Sequence, residues 1–226
     1  MNFGVENVRL RLQKACEHAG RSASEVKIVA AAKKHPAAKV REAYAQGLRD
    51  FGENQLQEAL RKQAELSDLD ICWHFIGTVQ SNKTRELAAN FDWVQSVDRI
   101  KTLNRLSAQR SAEQPALNVC LQVNIDRESQ KSGVAPEGLA ALAKEAAAAP
   151  RIALRGLMAI PRASEDALRT RDSFRRLKQM YDELRRQGYE LDTLSMGMSA
   201  DLEAAVAEGS TMIRIGTDLF GPRPEE

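Results

Sequence analysis

A chain of 226 residues with 43% hydrophobic residues can fill one large core, and 33 Lys and Arg against 31 Asp and Glu leave a net charge of only +2, which excludes the basic stripe of a nucleic-acid binder. Aromatic residues make up 5% of the chain, too few for a base-stacking platform. Cys16, Cys72 and Cys120 stand far apart without a CxxC pair, so neither a metal site nor a disulfide framework is expected; with no signal peptide and no run that could cross a bilayer, the expectation is a soluble cytoplasmic protein.

Residues 5 to 19 place Val5, Val8, Leu10, Leu12, Ala15, Cys16 and Ala19 at helical spacing and end at Gly20, which predicts a helix ahead of the first strand. The five apolar residues Ile28 to Ala32 then read as a buried strand that stops at Lys33 and Lys34, because Pro36 cannot continue a ladder. Lys33 is thereby placed at a strand mouth. Partial burial there disfavours its ammonium form and makes the neutral amine available as a nucleophile toward a carbonyl.

A regular cadence follows. Helix 37 to 46 leads to the strand around Leu48 to Asn54, helix 55 to 66 to Ile71–Gly77, helix 82 to 90 to Phe91–Val97, and helix 99 to 111 to Leu117–Asn124. A charged loop from Asp126 to Gly133 follows. Helix 136 to 148 then leads to Leu154–Ile160, helix 165 to 187 to Leu191–Gly197, and helix 200 to 208, capped by Ser199, to Thr211–Thr217. Eight strands alternating with helices predict an α/β fold of the (β/α)8 TIM barrel type with an extra N-terminal helix, one domain over 1–226. An open doubly wound sheet is disfavoured, since no glycine-rich dinucleotide fingerprint follows the first strand.

In such a barrel the working residues stand at the carboxyl ends of the strands. Those ends carry Lys33, Glu53 with Asn54, His74 with Gly77, Ser96, Asn124, Met158, Ser195 to Ser199, and Arg214 to Thr217. Ser195-Met196-Gly197-Met198-Ser199 and Arg214-Ile215-Gly216-Thr217 offer small residues, hydroxyls and backbone N–H groups after strands seven and eight, where barrels commonly hold a phosphate. A phosphate cradle opposite a strand-end lysine points to pyridoxal 5'-phosphate, whose aldehyde forms a Schiff base with an amine. Arg214 facing the pyridine nitrogen would leave that nitrogen unprotonated and the ring a weak electron sink, which suits storage or racemisation better than decarboxylation.

Seven separated motifs carry a resemblance over nearly the whole chain: Ala30-Ala31-Ala32-Lys33 with Pro36, Phe51-Gly52-Glu53-Asn54, Trp73-His74-Phe75-Ile76-Gly77, Lys131-Ser132-Gly133, Arg155-Gly156-Leu157-Met158-Ala159-Ile160, Ser195-Met196-Gly197-Met198-Ser199 and Arg214-Ile215-Gly216-Thr217. The sequence resembles the pyridoxal phosphate homeostasis proteins. The resemblance implies a barrel like the N-terminal domain of alanine racemase, the cofactor on Lys33, phosphate contacts from Ser199, Gly216 and Thr217, and supporting contacts from Asn54, Met198 and Arg214. His74 has two readings, a wall of the cofactor cavity or a satisfied core histidine. Two positions depart from the family pattern, Ala32 and Lys34 standing where serine and threonine are usual. The family implies a carrier or buffer of the cofactor, with apo cofactor-dependent enzymes as partners and no accepted turnover. The competing reading is a small amino-acid racemase or lyase; it lacks the second catalytic base that racemases take from an additional β domain, whose absence also suggests a monomer.

Overall fold

The computed structural model describes residues 4–162, 164 and 166–222. The rest of the predicted 1–226 domain, and the predicted helix start at 165, lie outside the described residues. Eight parallel strands close into a barrel in chain order: β1 (Lys27–Ala31), β2 (Asp50–Glu53), β3 (Cys72–Phe75), β4 (Trp93–Val97), β5 (Leu117–Gln122), β6 (Ile152–Met158), β7 (Thr193–Ser195) and β8 (Met212–Ile215). The helices between them are α2 (Ala37–Ala45), α3 (Leu56–Glu65), α4 (Thr84–Asn90), α5 (Ile100–Gln109), α6 (Leu139–Ala148), α7 (Ala167–Arg186) and α8 (Leu202–Ala207), with α1 (Val5–His18) before the barrel and α9 (Thr217–Phe220) after it. The barrel and the preceding helix stand as the sequence predicts. No helix among the described residues is long and apolar enough to cross a membrane.

Strand side chains alternate between two destinations. Those pointing outward, such as Ala30, Phe51, Phe75, Val94, Val119 and Leu157, join the helices in one buried shell. Those pointing inward stack in levels: Val29, Trp93, Cys120, Met158 and Met212 form a small separate cluster inside the barrel. Gly156 is required where β6 meets β7, because a Cβ there would lie 1.6 Å from the Thr193 carbonyl oxygen.

The eighth strand is shorter than predicted. Thr217 opens α9 instead of ending the strand, and Gly216 accepts from the N–H groups of Leu219 and Phe220, both at 3.0 Å. Helix α1 is tied to this end of the barrel. The N–H of Gly4 donates to the Asp218 carbonyl at 2.8 Å, and Arg11 donates to the Ser199 carbonyl (2.6 Å), to Asp218 (2.5 Å) and to Glu203 (2.6 Å).

Candidate functional site

The carboxyl ends of the strands surround a cavity of about 650 Å³, lined among others by Ala31, Lys33, Asn54, Gly77, Met198, Ser199, Arg214, Gly216 and Thr217. Seven of the eight residues singled out from the sequence therefore share one wall-to-wall space. They come from β8 itself and from the segments that follow β1, β2, β7 and β8, the first two strands and the last two lying far apart in the chain and adjacent only because the sheet closes.

Lys33 lies two residues beyond β1, in a turn whose next residue, Lys34, has a positive φ of 63°. A non-glycine residue in that region needs outside support, and α3 supplies it. The buried Lys62 ammonium donates to the Ala32 carbonyl (2.7 Å), to Glu53 (2.6 Å) and to Glu58 (2.7 Å), and the same Glu58 oxygen accepts from the Lys34 N–H at 2.7 Å. All three ammonium protons are used. The turn that presents Lys33 is thus held on both sides by one buried charge cluster.

Burial pushes the Glu53 carboxyl up to about 7, against the pull of Lys62. Its second oxygen, Oε2, is buried without a hydrogen-bond partner among the described residues.

Asn54 reaches the cavity because Gly77 lets the β2 and β3 loops touch: a Cβ on Gly77 would lie 2.2 Å from the Asn54 carbonyl oxygen. Gly77→Ala is accordingly expected to cost about 1–3 kcal/mol as an overpacking change and to move Asn54. A thermal melt lowered by several degrees, with ligand affinity lost alongside, checks this.

Arg214 is buried, with its guanidinium donating to Ser195 Oγ at 2.6 Å and to the Ala159 carbonyl at 2.9 Å. Burial lowers its pKa to about 10, so it remains a cation at neutral pH. The loop after β7 differs from expectation in one respect. Ser199 does not cap the following helix; Asp201 occupies that position and accepts from the Met198 N–H at 2.6 Å. The Ser199 hydroxyl instead accepts from the Asp218 N–H at 3.3 Å, at the start of α9, and keeps its own proton to donate. Gly216 fits so closely that a Cβ would stand 3.3 Å from the Ala31 carbonyl. Arg11, which no motif in the sequence singles out, neutralises Asp218 and Glu203 beside these loops.

His74 is the correction. Its side chain is fully buried inside the barrel and does not line the cavity. Period-two alternation gives it the right face but the wrong depth: two residues further along the same face, Ile76 forms the wall. The ring stacks on Trp93 at 5.2 Å, and its two nitrogens meet Asp50 and Gln95, both at 2.9 Å. Of its two readings, the structure selects the satisfied core histidine.

The family described as alanine racemase, N-terminal domain, matches residues 5–224. A pyridoxal phosphate homeostasis protein of Pseudomonas aeruginosa is 55% identical over 97% of this chain and 94% of its own length. Its Escherichia coli counterpart is 44% identical over 97% of this chain and 95% of its own. Among solved structures, PipY of Synechococcus elongatus PCC7942 with PLP bound superposes with a TM-score of 0.82 at 40% identity, covering 93% of this chain and 99% of that one. An alanine racemase of Clostridium difficile, 14% identical, shares the fold at a TM-score of 0.76, with 99% of this chain matching 59% of the racemase.

Proposed function

The chain belongs to the pyridoxal phosphate homeostasis protein family, and from that premise we propose that it holds pyridoxal 5'-phosphate covalently on Lys33 and serves the intracellular supply of that cofactor as a single cytoplasmic, monomeric cofactor-binding domain. The observation that carries the reading is the convergence of Lys33, Arg214 and the Ser199 and Gly216–Thr217 loops on one cavity.

The residues present fit the group. Pyridoxal phosphate supplies an aldehyde carbon that takes up an amine, and a ring that draws electrons. At the anionic end, Ser199 and Thr217 line the same cavity and would offer it their hydroxyls and the Thr217 N–H, since the first N–H groups of a helix have no intrahelical acceptor. Arg11 cancels the carboxylates that would otherwise repel it. Arg214 offers only donors, so a ring nitrogen that met it would accept a hydrogen bond and carry no proton. Asn54 and Met198 close the sides of the cavity. An unprotonated ring withdraws electrons weakly, which supports holding and release in preference to turnover, with apo cofactor-dependent enzymes as recipients.

Incubating the loaded protein with single L-amino acids and following the D-isomer tests this. Less than one equivalent of D-isomer per protein is expected. Sustained multiple turnover abolished by Lys33→Ala would replace the carrier by a racemase.

A further inference from the structure

Below the cavity floor a file of polar side chains leads away from Arg214. Arg214 donates to Ser195 Oγ (2.6 Å), Ser195 Oγ to Gln95 Oε1 (2.6 Å), Gln95 Nε2 to His74 Nδ1 (2.9 Å), and His74 Nε2 to Asp50 Oδ1 (2.9 Å). Asp50 in turn accepts from Lys27 at 2.9 Å, at the opposite mouth of the barrel. Ser195, Gln95 and His74 are all buried to 0% exposure.

The direction of every bond is fixed from both ends. A guanidinium can only donate, so the Ser195 hydroxyl accepts from it and spends its proton on Gln95, which must turn its oxygen toward Ser195 and its amide nitrogen toward His74. A carboxylate can only accept, so His74 carries its proton on Nε2 and leaves Nδ1 bare. At the Gln95–His74 contact an amide N–H therefore meets a bare ring nitrogen. The second amide proton of Gln95 faces Met212 Sδ at 3.2 Å, so the amide has no reason to flip.

We infer that Ser195, Gln95 and His74 are positioning residues for Arg214: a one-way hydrogen-bond file, cation at the cavity end and carboxylate at the other, that fixes the guanidinium toward the cavity and holds only while His74 is neutral with its proton on Nε2. The file itself depends on nothing beyond these contacts; its consequence for the cofactor rests on the function proposed above. Protonating Nδ1 would set two donors face to face at Gln95 and force the amide over, so that Ser195 would receive donors from both sides and lose its acceptor.

The groups facing the imidazole are Asp50 from β2, Lys27 from β1, the Cys72 thiol at 3.5 Å on its own strand, and Asp92 just before β4. Burial holds the imidazole below its ordinary value against the pull of Asp50, which agrees with a neutral ring. Burial also raises the Cys72 thiol. Asp50, Cys72 and His74 sit within 4.8 Å of one another, but Lys27 and the Nε2 proton already occupy Asp50.

Nitrogen-15 NMR of the imidazole in the unmodified, cofactor-free chain reads the file directly. A protonated Nε2 and a bare Nδ1, unchanged from about pH 6 to about pH 8, are expected. A proton on Nδ1, an imidazolium, or a bare Nε2 such as metal capture by Asp50 and Cys72 would need, overturns the inference. Gln95→Glu, which keeps shape but replaces the amide donor by an acceptor, is expected to raise the His74 pKa by about two units or more; no change overturns it. In the loaded protein, Ser195→Ala and Gln95→Glu should shift the pH midpoint of the visible cofactor band in the direction Arg214→Gln does. Variants matching the parent while Arg214→Gln does not would show that the file leaves Arg214 alone. A parent with no such band refutes the cofactor reading, and the nitrogen signals then decide for or against the file on their own.

Discussion

Lys33→Ala is expected to abolish the visible absorption of the cofactor-loaded protein and to leave no pyridoxyl mass on any peptide after borohydride reduction. The expectation follows from the placement of three other amines near this end of the barrel. Lys131 is anchored to the Pro161 carbonyl at 2.9 Å and to Glu128 at 2.6 Å, and does not line the cavity. Lys62 uses all three protons beneath the turn. Lys83 borders an adjoining recess that shares Asn54, Gln55, Thr78 and Gln80 with the main cavity, which makes it the competitor. Retention of cofactor through gel filtration should fall by about tenfold or more, equivalent to at least ~1.4 kcal/mol, because the anion contacts remain when the amine is gone. Reduction that traps the label on Lys83 in the parent would remove Lys33 from its role.

The architecture was legible because most of the strands are short, largely apolar runs cut off by a polar or glycine residue, and several of those cuts lie at the mouth where the cavity opens. Lys33 and the two small-residue loops were legible for the same reason: strand ends are visible in a sequence and share one rim in a closed barrel. Depth was not. Alternation assigns His74 to the inner face but cannot say that Ile76, one step nearer the rim, is the residue that reaches the cavity. Gln95 gave a usable signal, a lone amide within Trp93–Val97, but strand-end logic selects Ser96, whose hydroxyl only donates to the Gly77 carbonyl. Lys62 and Arg11 gave none. On a helix, Glu58 and Lys62 look like an ordinary exposed pair four residues apart, and only the docking of α3 against the β1 turn makes that pair a buried support.

That buried support sets the largest expected loss of stability. Lys62→Met should cost about 3–5 kcal/mol, since removing one partner leaves Glu53 as an uncompensated buried acid, and in a chain of this size should lower Tm by on the order of 10 °C. Glu53→Gln in the same background should recover much of the loss, because a neutral amide no longer needs the ammonium; losses that simply add would show the two side chains to be uncoupled. The pH dependence has a definite sign. With its folded pKa raised from the ordinary 4.5 to about 7, Glu53 binds its proton more tightly in the folded chain than in the unfolded one. Its contribution to stability is therefore complete below about pH 4.5 and is lost as pH rises through about 7. Asp50 and Asp126 act in another window. Burial raises both, but hydrogen bonds from His74 and Lys27 to the first, and from Ser173, Arg162 and Arg176 to the second, outweigh it, so their contributions vanish only as pH falls below the ordinary carboxylate range. Denaturant midpoints measured from about pH 5 to about pH 8 should fall in the parent and flatten in Glu53→Gln. A parent whose midpoint instead climbs over that range would mean that Glu53 is ionised throughout, with Lys62 outweighing burial.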